Sequence, residues 1–201
     1  SYLKRRLKHE PVSKIINKKS FWKYDFYVNR HVLDPRPESE FILEESINFI
    51  KNKKKCINIL DIGTGSGCLS VSLAKEFINS KILAVDISKK AIAIANKNIL
   101  NHNCSHQIET KVSSYDKLKN QFDLIVSNPP YLSLSEYYKL NKTVKKFDPK
   151  MALIGGVDGL FFYRSFANKL PCIMKKNSYL ILEIGEKQAL KCINLLRNSG
   201  L

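Results

Sequence analysis

The sequence predicts an α/β fold with a doubly wound, mostly parallel sheet. From residue 56 onward, apolar runs of strand length alternate with helical segments, a pattern typical of parallel sheets. A glycine-rich turn joins the first of these runs to the helix after it, as in nucleotide-binding α/β folds. The chain has 201 residues, 44% of them hydrophobic, which is enough for one full-sized core.

The residues before this alternation carry other patterns. Residues 1–10 are basic, with two leucines at helical spacing, and predict a helix that ends at Pro11. Residues 20–29 alternate aromatic and polar side chains, which predicts a short β-hairpin. Residues 34–38, with two prolines, predict a rigid extended turn that leads into a helix.

Hydrophobic periodicity then assigns the elements in order. Helices are predicted over residues 39–51, 67–79, 88–101, 160–170 and 187–198, and strands over 57–62, 81–86, 107–112, 122–127 and 179–184. Ser88 is a plausible N-cap for the third helix. Residues 128–159 are predicted to be irregular, and a connection of that length in a compact domain is a candidate functional loop.

Composition narrows the class of protein less than the motifs do. The net charge of +16 fits an anionic partner such as RNA, DNA or a ribosome-associated protein, but lysine is frequent in almost every segment. Nucleic-acid binding is therefore possible but not required. No apolar run reaches the roughly 18 residues of a membrane span, and no signal peptide precedes the fold, so we expect a cytoplasmic protein without a membrane partner. Five cysteines without paired spacing predict neither a metal site nor a disulfide framework.

A nucleotide-type site is predicted at the glycine loop, residues 63–67, which reads Gly63-Thr64-Gly65-Ser66-Gly67. Asp86 ends the next strand, where a carboxylate can accept hydrogen bonds from ribose hydroxyls. A dinucleotide fingerprint would place Gly or Ala at position 68, which is Cys68 here, so the pattern favours a ligand without pyrophosphate, S-adenosylmethionine. Asp61 is expected to meet the cationic amino-acid end of that ligand; alternatively, it only satisfies N–H groups of the loop.

The chemical site is predicted at the NPPY loop, Asn128-Pro129-Pro130-Tyr131, which follows a strong strand at the same edge of the sheet. The side-chain oxygen of Asn128 and the carbonyl of Pro129 can accept hydrogen bonds from both N–H groups of a planar amide or amine. Tyr131 can stack on the planar group, and the prolines stiffen the loop. Such a site would catalyse methyl transfer mainly by positioning the nitrogen.

These motifs carry a family resemblance. The NPPY loop with the glycine loop resembles amino-methyltransferases in general, including N6-adenine enzymes. Further segments resemble the glutamine-N5 methyltransferases of peptide chain release factors, the HemK/PrmC family of class I S-adenosylmethionine-dependent enzymes with a Rossmann-like fold. They are residues 10–12 with 21–22, 35–40, 148–149 with 155–160 and Tyr163, and 182–185 with Gln188.

The resemblance implies methyl transfer from S-adenosylmethionine, with S-adenosylhomocysteine as product, to the glutamine of the release factors' Gly-Gly-Gln motif. It implies cofactor contacts from the glycine loop, Asp86, Asn128, Arg36 and Ser39, and substrate contacts from the NPPY loop. Where the family often has an acid and then an aromatic residue, this chain has Ser114-Tyr115. Tyr115 can still stack on adenine, whereas the contact to the adenine amino group lacks its acid.

The resemblance also implies a domain division. Residues 1–33 would be the remnant of an N-terminal helical domain with a hairpin linker, and residues 34–201 the methyltransferase domain, without the final strands of the family's sheet. The leading alternative function is N6-adenine methylation of DNA or RNA. A non-catalytic nucleotide- or RNA-binding module and an NAD-dependent dehydrogenase are the further alternatives.

Overall fold

Two short helices and a β-hairpin begin the chain, in a computed structural model that describes residues 1–201. Helix α1 spans Tyr2–Leu7, helix α2 Val12–Ile16, and strand β1 (Lys18–Phe21) pairs antiparallel with β2 (Tyr24–Tyr27). The predicted hairpin is confirmed, with its first strand starting at residue 18 rather than 20. Helix α2 was not predicted, because five residues are too few to show a helical period.

The hairpin packs into the main core. Phe21 and Phe26 are buried in one cluster with the core of the sheet, and the Trp22 indole donates to Glu76 at 3.0 Å. Glu76 also pairs with Lys23 of the turn. The hairpin and the sheet thus share apolar core; the domain division at residue 34 stays a prediction.

The central sheet has five strands in the order β5-β4-β3-β6-β7, and all of its pairings are parallel. The strands are β3 Asn58–Ile62, β4 Lys81–Asp86, β5 Ile108–Val112, β6 Phe122–Ser127 and β7 Met174–Leu182. This confirms the predicted sheet. From β3, the chain adds strands first on one side (β4, then β5) and afterwards on the other side (β6, then β7). The carboxyl ends of the neighbours β3 and β6 therefore lie at a topological switch point, the place where α/β sheets bind ligands.

Helices cover both faces of the sheet: α3 Glu40–Phe49, α4 Cys68–Glu76, α5 Lys89–Asn101, α8 Phe161–Ile173 and α9 Ala189–Arg197. Two shorter helices, α6 Leu134–Lys139 and α7 Lys142–Phe147, lie between β6 and α8 along the chain. Neighbouring residues of β3 show the two faces. Ile59 packs in the cluster that contains α3, α4 and α5, whereas Leu60 packs in the cluster that contains α8 and α9. Side chains alternate across a strand, so strands covered on both faces carry nearly continuous apolar runs rather than an alternation of apolar and polar residues.

The largest departure from the predicted elements lies in residues 128–159, which contain α6 and α7 rather than only irregular chain. Ser133 and Glu136 form a capping box at the start of α6, a signal that marks this helix in the sequence. Strand β7 begins at Met174, five residues before the predicted start at residue 179. Its first half carries polar side chains, so the apolar pattern revealed only the second half. No helix combines the length and apolar character that crossing a membrane requires.

Candidate active site

The glycine loop leaves β3 in a tight turn over the end of β4. Gly63, Gly65 and Gly67 have φ of +74°, +55° and +79°, a region that favours glycine. The N–H groups of Gly63 and Thr64 donate to the carbonyl of Val85 at 2.8 and 3.0 Å. Hydrogen bonds within the chain therefore hold the loop against the neighbouring strand, β4.

Asp61 anchors the glycine loop from behind. Its side chain is fully buried, and one carboxylate oxygen accepts hydrogen bonds from Thr64 at 2.7 Å and Ser70 at 2.6 Å. The other oxygen has no partner. Burial raises the pKa of Asp61 to about 6. Asp61 does not line the cavity in front of the loop, so the geometry favours the anchoring role, and contact with a ligand stays a prediction.

Asp86 reaches the site from the end of β4. One carboxylate oxygen accepts from the N–H of Gly65 at 3.1 Å and the other from the N–H of Ser88 at 2.8 Å. Burial raises the pKa of this carboxyl, and those backbone donors oppose the rise. Each oxygen keeps a further acceptor position, which suits a pair of ribose hydroxyls.

A cavity of about 460 Å³ lies between these groups, and it falls in the size range of small-molecule sites. Most of the predicted cofactor residues line it: Arg36, Ser39, Gly63, Thr64, Gly65, Ser66, Asp86, Tyr115 and Asn128. Asp61 and Gly67 do not. The Cα of Gly67 instead faces α5, where an added Cβ would come within 3.2 Å of Ala95.

The wall beyond β5 carries the Ser114-Tyr115 pair. Tyr115 is 8% exposed, its hydroxyl hydrogen-bonds to Ser165, and its ring packs edge-on against Phe166 at 5.0 Å between centroids. Burial raises the pKa of this phenol. Asp116 also lines the cavity, and sequence reasoning missed it because it expected the acid one position before the aromatic residue rather than one position after.

Asn128 holds the opposite end of the cavity, at the end of β6. Its side-chain nitrogen donates to Ser39 at 2.8 Å, and its side-chain oxygen accepts no hydrogen bond from the chain. The carbonyl of Pro129 also lacks a partner within the chain. Pro129 is buried and Tyr131 half-buried, and neither lines the cavity, whereas Pro130 does. Burial first, and then the charge of Glu183, raise the pKa of Tyr131 to about 12.

A second segment, residues 155–159, supports the NPPY loop from outside. The Gln188 side chain donates to the carbonyls of Tyr131 at 2.8 Å and Gly159 at 3.4 Å. A Cβ added to Gly159 would come within 2.3 Å of the Tyr131 carbonyl, and one added to Gly155 within 2.5 Å of the Pro130 carbonyl. Glycine is needed at both positions because the backbones touch.

A buried ion cluster beside the cavity was not foreseen. Lys14 is 1% exposed at its side chain and pairs with Asp34 at 2.6 Å and Asp148 at 3.5 Å. Arg36 pairs with Asp148 at 3.1 Å. Burial raises the pKa of Asp148, and the two cations oppose this rise. The cluster links α2 to Asp34 and Arg36, which line the cavity, and to Asp148, which precedes the lining residue Pro149.

Known proteins resemble this chain in sequence and in fold. The methyltransferase small domain family model matches residues 40–146. The release factor glutamine methyltransferase of Flavobacterium psychrophilum is 38% identical over 191 residues, which covers 93% of this chain and 67% of that protein. The bifunctional methyltransferase of Rickettsia typhi is 38% identical over 217 residues, covering 98% of this chain and 42% of that protein.

Among solved structures, a methyltransferase from Pyrococcus furiosus superposes with a TM-score of 0.59 at 20% identity, covering 98% of this chain and 84% of that one, a likeness of fold. Fold and site together define the class, a Rossmann-like methyltransferase domain. Within that class, the chain belongs to the methyltransferase small domain family, on the branch of the release factor glutamine methyltransferases. It spans about two fifths of the length of its bifunctional relatives.

Proposed function

We propose that this domain transfers a methyl group from S-adenosylmethionine to the side-chain nitrogen of the glutamine in the Gly-Gly-Gln motif of peptide chain release factors. The observation that carries the proposal is the side-chain oxygen of Asn128, which lies at the cavity and accepts no hydrogen bond from the chain. The carbonyl of the next residue, Pro129, also has no partner within the chain. A primary amide offers two N–H groups, and these oxygens are two acceptors.

The cavity suits the proposed cofactor. Asp86 offers spare acceptor positions to ribose hydroxyls, Gly63 and Gly65 present backbone without side chains, and Tyr115 supplies an aromatic wall. Asp116 adds a carboxylate to that wall, where an adenine amino group could donate to it. When bound, S-adenosylmethionine supplies a methyl group on a positively charged sulfur.

The chain's own residues would act by positioning. An amide nitrogen is a weak nucleophile because its lone pair is delocalised into the carbonyl. By accepting hydrogen bonds from both N–H groups, Asn128 and Pro129 would fix the position of the nitrogen and the plane of the amide. The entropic cost of orienting the nitrogen would then be met when the substrate binds, which lowers the activation barrier for methyl transfer. The nitrogen would form its bond to the methyl carbon as the bond from that carbon to sulfur breaks, which leaves neutral S-adenosylhomocysteine. The nitrogen then releases one proton to solvent, and a strong general base is not required.

Release factors as partner and the cytoplasm as location follow from the same proposal. The names of the Flavobacterium psychrophilum and Geobacter sulfurreducens relatives, both release factor glutamine methyltransferases, support it. They do not favour the N6-adenine alternative.

Transfer of labelled methyl tests the proposal. A release factor is compared with its variant in which the tip reads Gly-Gly-Ala, and adenine-containing DNA and RNA strands serve as the nucleic-acid arm. We expect label on the unaltered factor alone. Equal labelling of both factors, or label only on nucleic acid, would overturn the glutamine assignment.

A further inference from the structure

Glu183 lies close to the NPPY loop, where its charge acts on Tyr131. It follows the last residue of β7, and its N–H donates to the carbonyl of Ser127 at 3.0 Å. Its own carbonyl accepts the Tyr163 hydroxyl at 3.0 Å. The backbone of Glu183 is thus held on both sides, immediately beside Asn128.

Three side chains form a continuous line of hydrogen bonds from this point to the cavity. The Ser39 hydroxyl, 4% exposed, donates to the Glu183 carboxylate at 2.5 Å. The Asn128 amide nitrogen donates to the same Ser39 oxygen at 2.8 Å. Ser39 enters from the turn before α3, so three separate segments of the chain meet in this line.

The Glu183 carboxylate determines which atom donates in each of these hydrogen bonds. A carboxylate only accepts, so the single hydroxyl hydrogen of Ser39 must point to Glu183. The Ser39 oxygen then offers only lone pairs to Asn128, which must present its NH₂ group there. The carbonyl oxygen of the same amide is left on the other side, as an acceptor for a substrate.

We propose that Glu183 is a positioning residue, which through Ser39 fixes the side-chain amide of Asn128 with its oxygen toward the substrate nitrogen. The proposal rests on the function proposed above. A flipped amide would present its NH₂ group to the substrate amide, donor against donor, and would lose the hydrogen bond that positions the nitrogen.

Glu183→Gln tests this with little change in shape. Glutamine can donate to Ser39, which frees the Ser39 hydrogen for the Asn128 oxygen and permits the flipped amide. We expect kcat for release factor methylation to fall by about tenfold, the cost of one hydrogen bond. The Kd for S-adenosylhomocysteine should stay within about twofold, since Glu183 does not line the cavity. Glu186→Gln, the same change at an exposed position, is the control and should keep full activity.

A double-mutant cycle separates this role from general support of the fold. If Glu183 acts through Ser39, the Ser39→Ala/Glu183→Gln double variant should be no slower than Ser39→Ala alone. Losses that multiply in the double variant would overturn the proposal, and so would an unchanged kcat in Glu183→Gln.

NMR of the side-chain amide signals of Asn128, recorded without substrate, tests the hydrogen bonds independently of the proposed function. Assignment comes from the Asn128→Ala spectrum. We expect Glu183→Gln and Ser39→Ala to shift these signals and Glu186→Gln to leave them in place. Unshifted signals in both variants would refute the line of hydrogen bonds, whichever substrate the enzyme methylates.

Discussion

At the scale of single residues, the polar side chains of the site form hydrogen bonds within the chain that leave specific acceptor positions free. Asp86 accepts hydrogen bonds from two backbone N–H groups, and the side-chain nitrogen of Asn128 donates to Ser39. In Asp61, by contrast, one carboxylate oxygen accepts from Thr64 of the glycine loop, and the other is buried without a partner. These three residues should therefore respond differently to substitution.

Asp86→Asn should weaken cofactor binding and spare the chemical step. Hydrogen bonds to a charged acceptor contribute about 1.5–3 kcal/mol, so the Kd for S-adenosylmethionine should rise about 10- to 100-fold by calorimetry. The transfer rate at saturating cofactor should change much less. Asp25→Asn, at an exposed position of the hairpin, is the matched control. An unchanged Kd would remove Asp86 from the cofactor site.

Asp61 should leave a trace in the pH dependence of stability. Its pKa is raised to about 6 in the folded chain, above the ordinary aspartate value of 3.8, so the folded state holds the proton more tightly. Stability therefore falls as pH rises from about 4 to about 6, by on the order of 3 kcal/mol, and is level above that. Asp61→Asn removes this component. Urea denaturation from pH 4 to 8 should show the stability difference between the two proteins changing below pH 6; parallel curves would contradict the assignment.

At the scale of elements, the NPPY loop is held by neighbours rather than by its own hydrogen bonds. The segment after it forms an isolated bridge, Leu132 with Ile154, and Gln188 closes the outer side. The backbone of residues 155–159 lies directly against the loop. Catalytic geometry at Asn128 should therefore depend on glycines that never touch a ligand.

Gly159→Ala should slow methyl transfer without a matching loss of cofactor affinity. The new Cβ would lie 2.3 Å from the Tyr131 carbonyl at a φ of +78°, so the two segments must separate. A displacement of this kind at a catalytic group can cost about 100-fold in rate. Gly200→Ala, at a φ of +86° with nothing within 4 Å, controls for backbone strain alone. Equal rates in the two variants would show that the contact is unimportant.

At the scale of the whole molecule, remote parts of the chain enclose the cavity, and Lys14 joins them. Lys14 lies in α2, whereas Asp148 lies beyond β6, and the pair meets at 3.5 Å in a buried site. With Asp34 and Arg36 the cluster contains two cations and two carboxylates. Removal of one cation would leave buried negative charge without compensation.

Lys14→Met should cost about 3–5 kcal/mol in the free energy of unfolding at pH 8, the usual penalty for breaking a buried ion pair. The penalty should shrink toward pH 5, because the pKa of Asp148 is already raised and rises further without Lys14, so the carboxyl can bind a proton. Lys18→Met breaks an exposed pair with Asp25 and should cost less than about 1 kcal/mol. Equal losses in both variants would argue against the buried cluster.

Much of the fold could be predicted from the sequence, because local patterns encode it. The bounds of β4 and β6 were predicted correctly, and Ser88 caps α5 as expected. Helices α2, α6 and α7 were missed since each is only five or six residues long.

The site was predictable only in part, because only some of its residues lie in contiguous sequence motifs. The glycine loop and the NPPY loop are contiguous motifs, and both lie at the predicted edge of the sheet. The bond between Ser39 and Asn128 spans 89 positions, and that between Ser39 and Glu183 spans 144. No local pattern reports which polar residues will meet after folding.

Single-turnover methyl transfer to a release factor by Asn128→Ala tests the central claim most directly. Cofactor is held at saturation, its Kd is measured by calorimetry, and Asn101→Ala, at an exposed helix end, is the control. We expect a fall in rate of about 10²- to 10³-fold, the loss typical of one catalytic hydrogen-bonding group, with the Kd changed by less than about tenfold. A variant that binds cofactor poorly yet transfers methyl at the unaltered rate when saturated would contradict it.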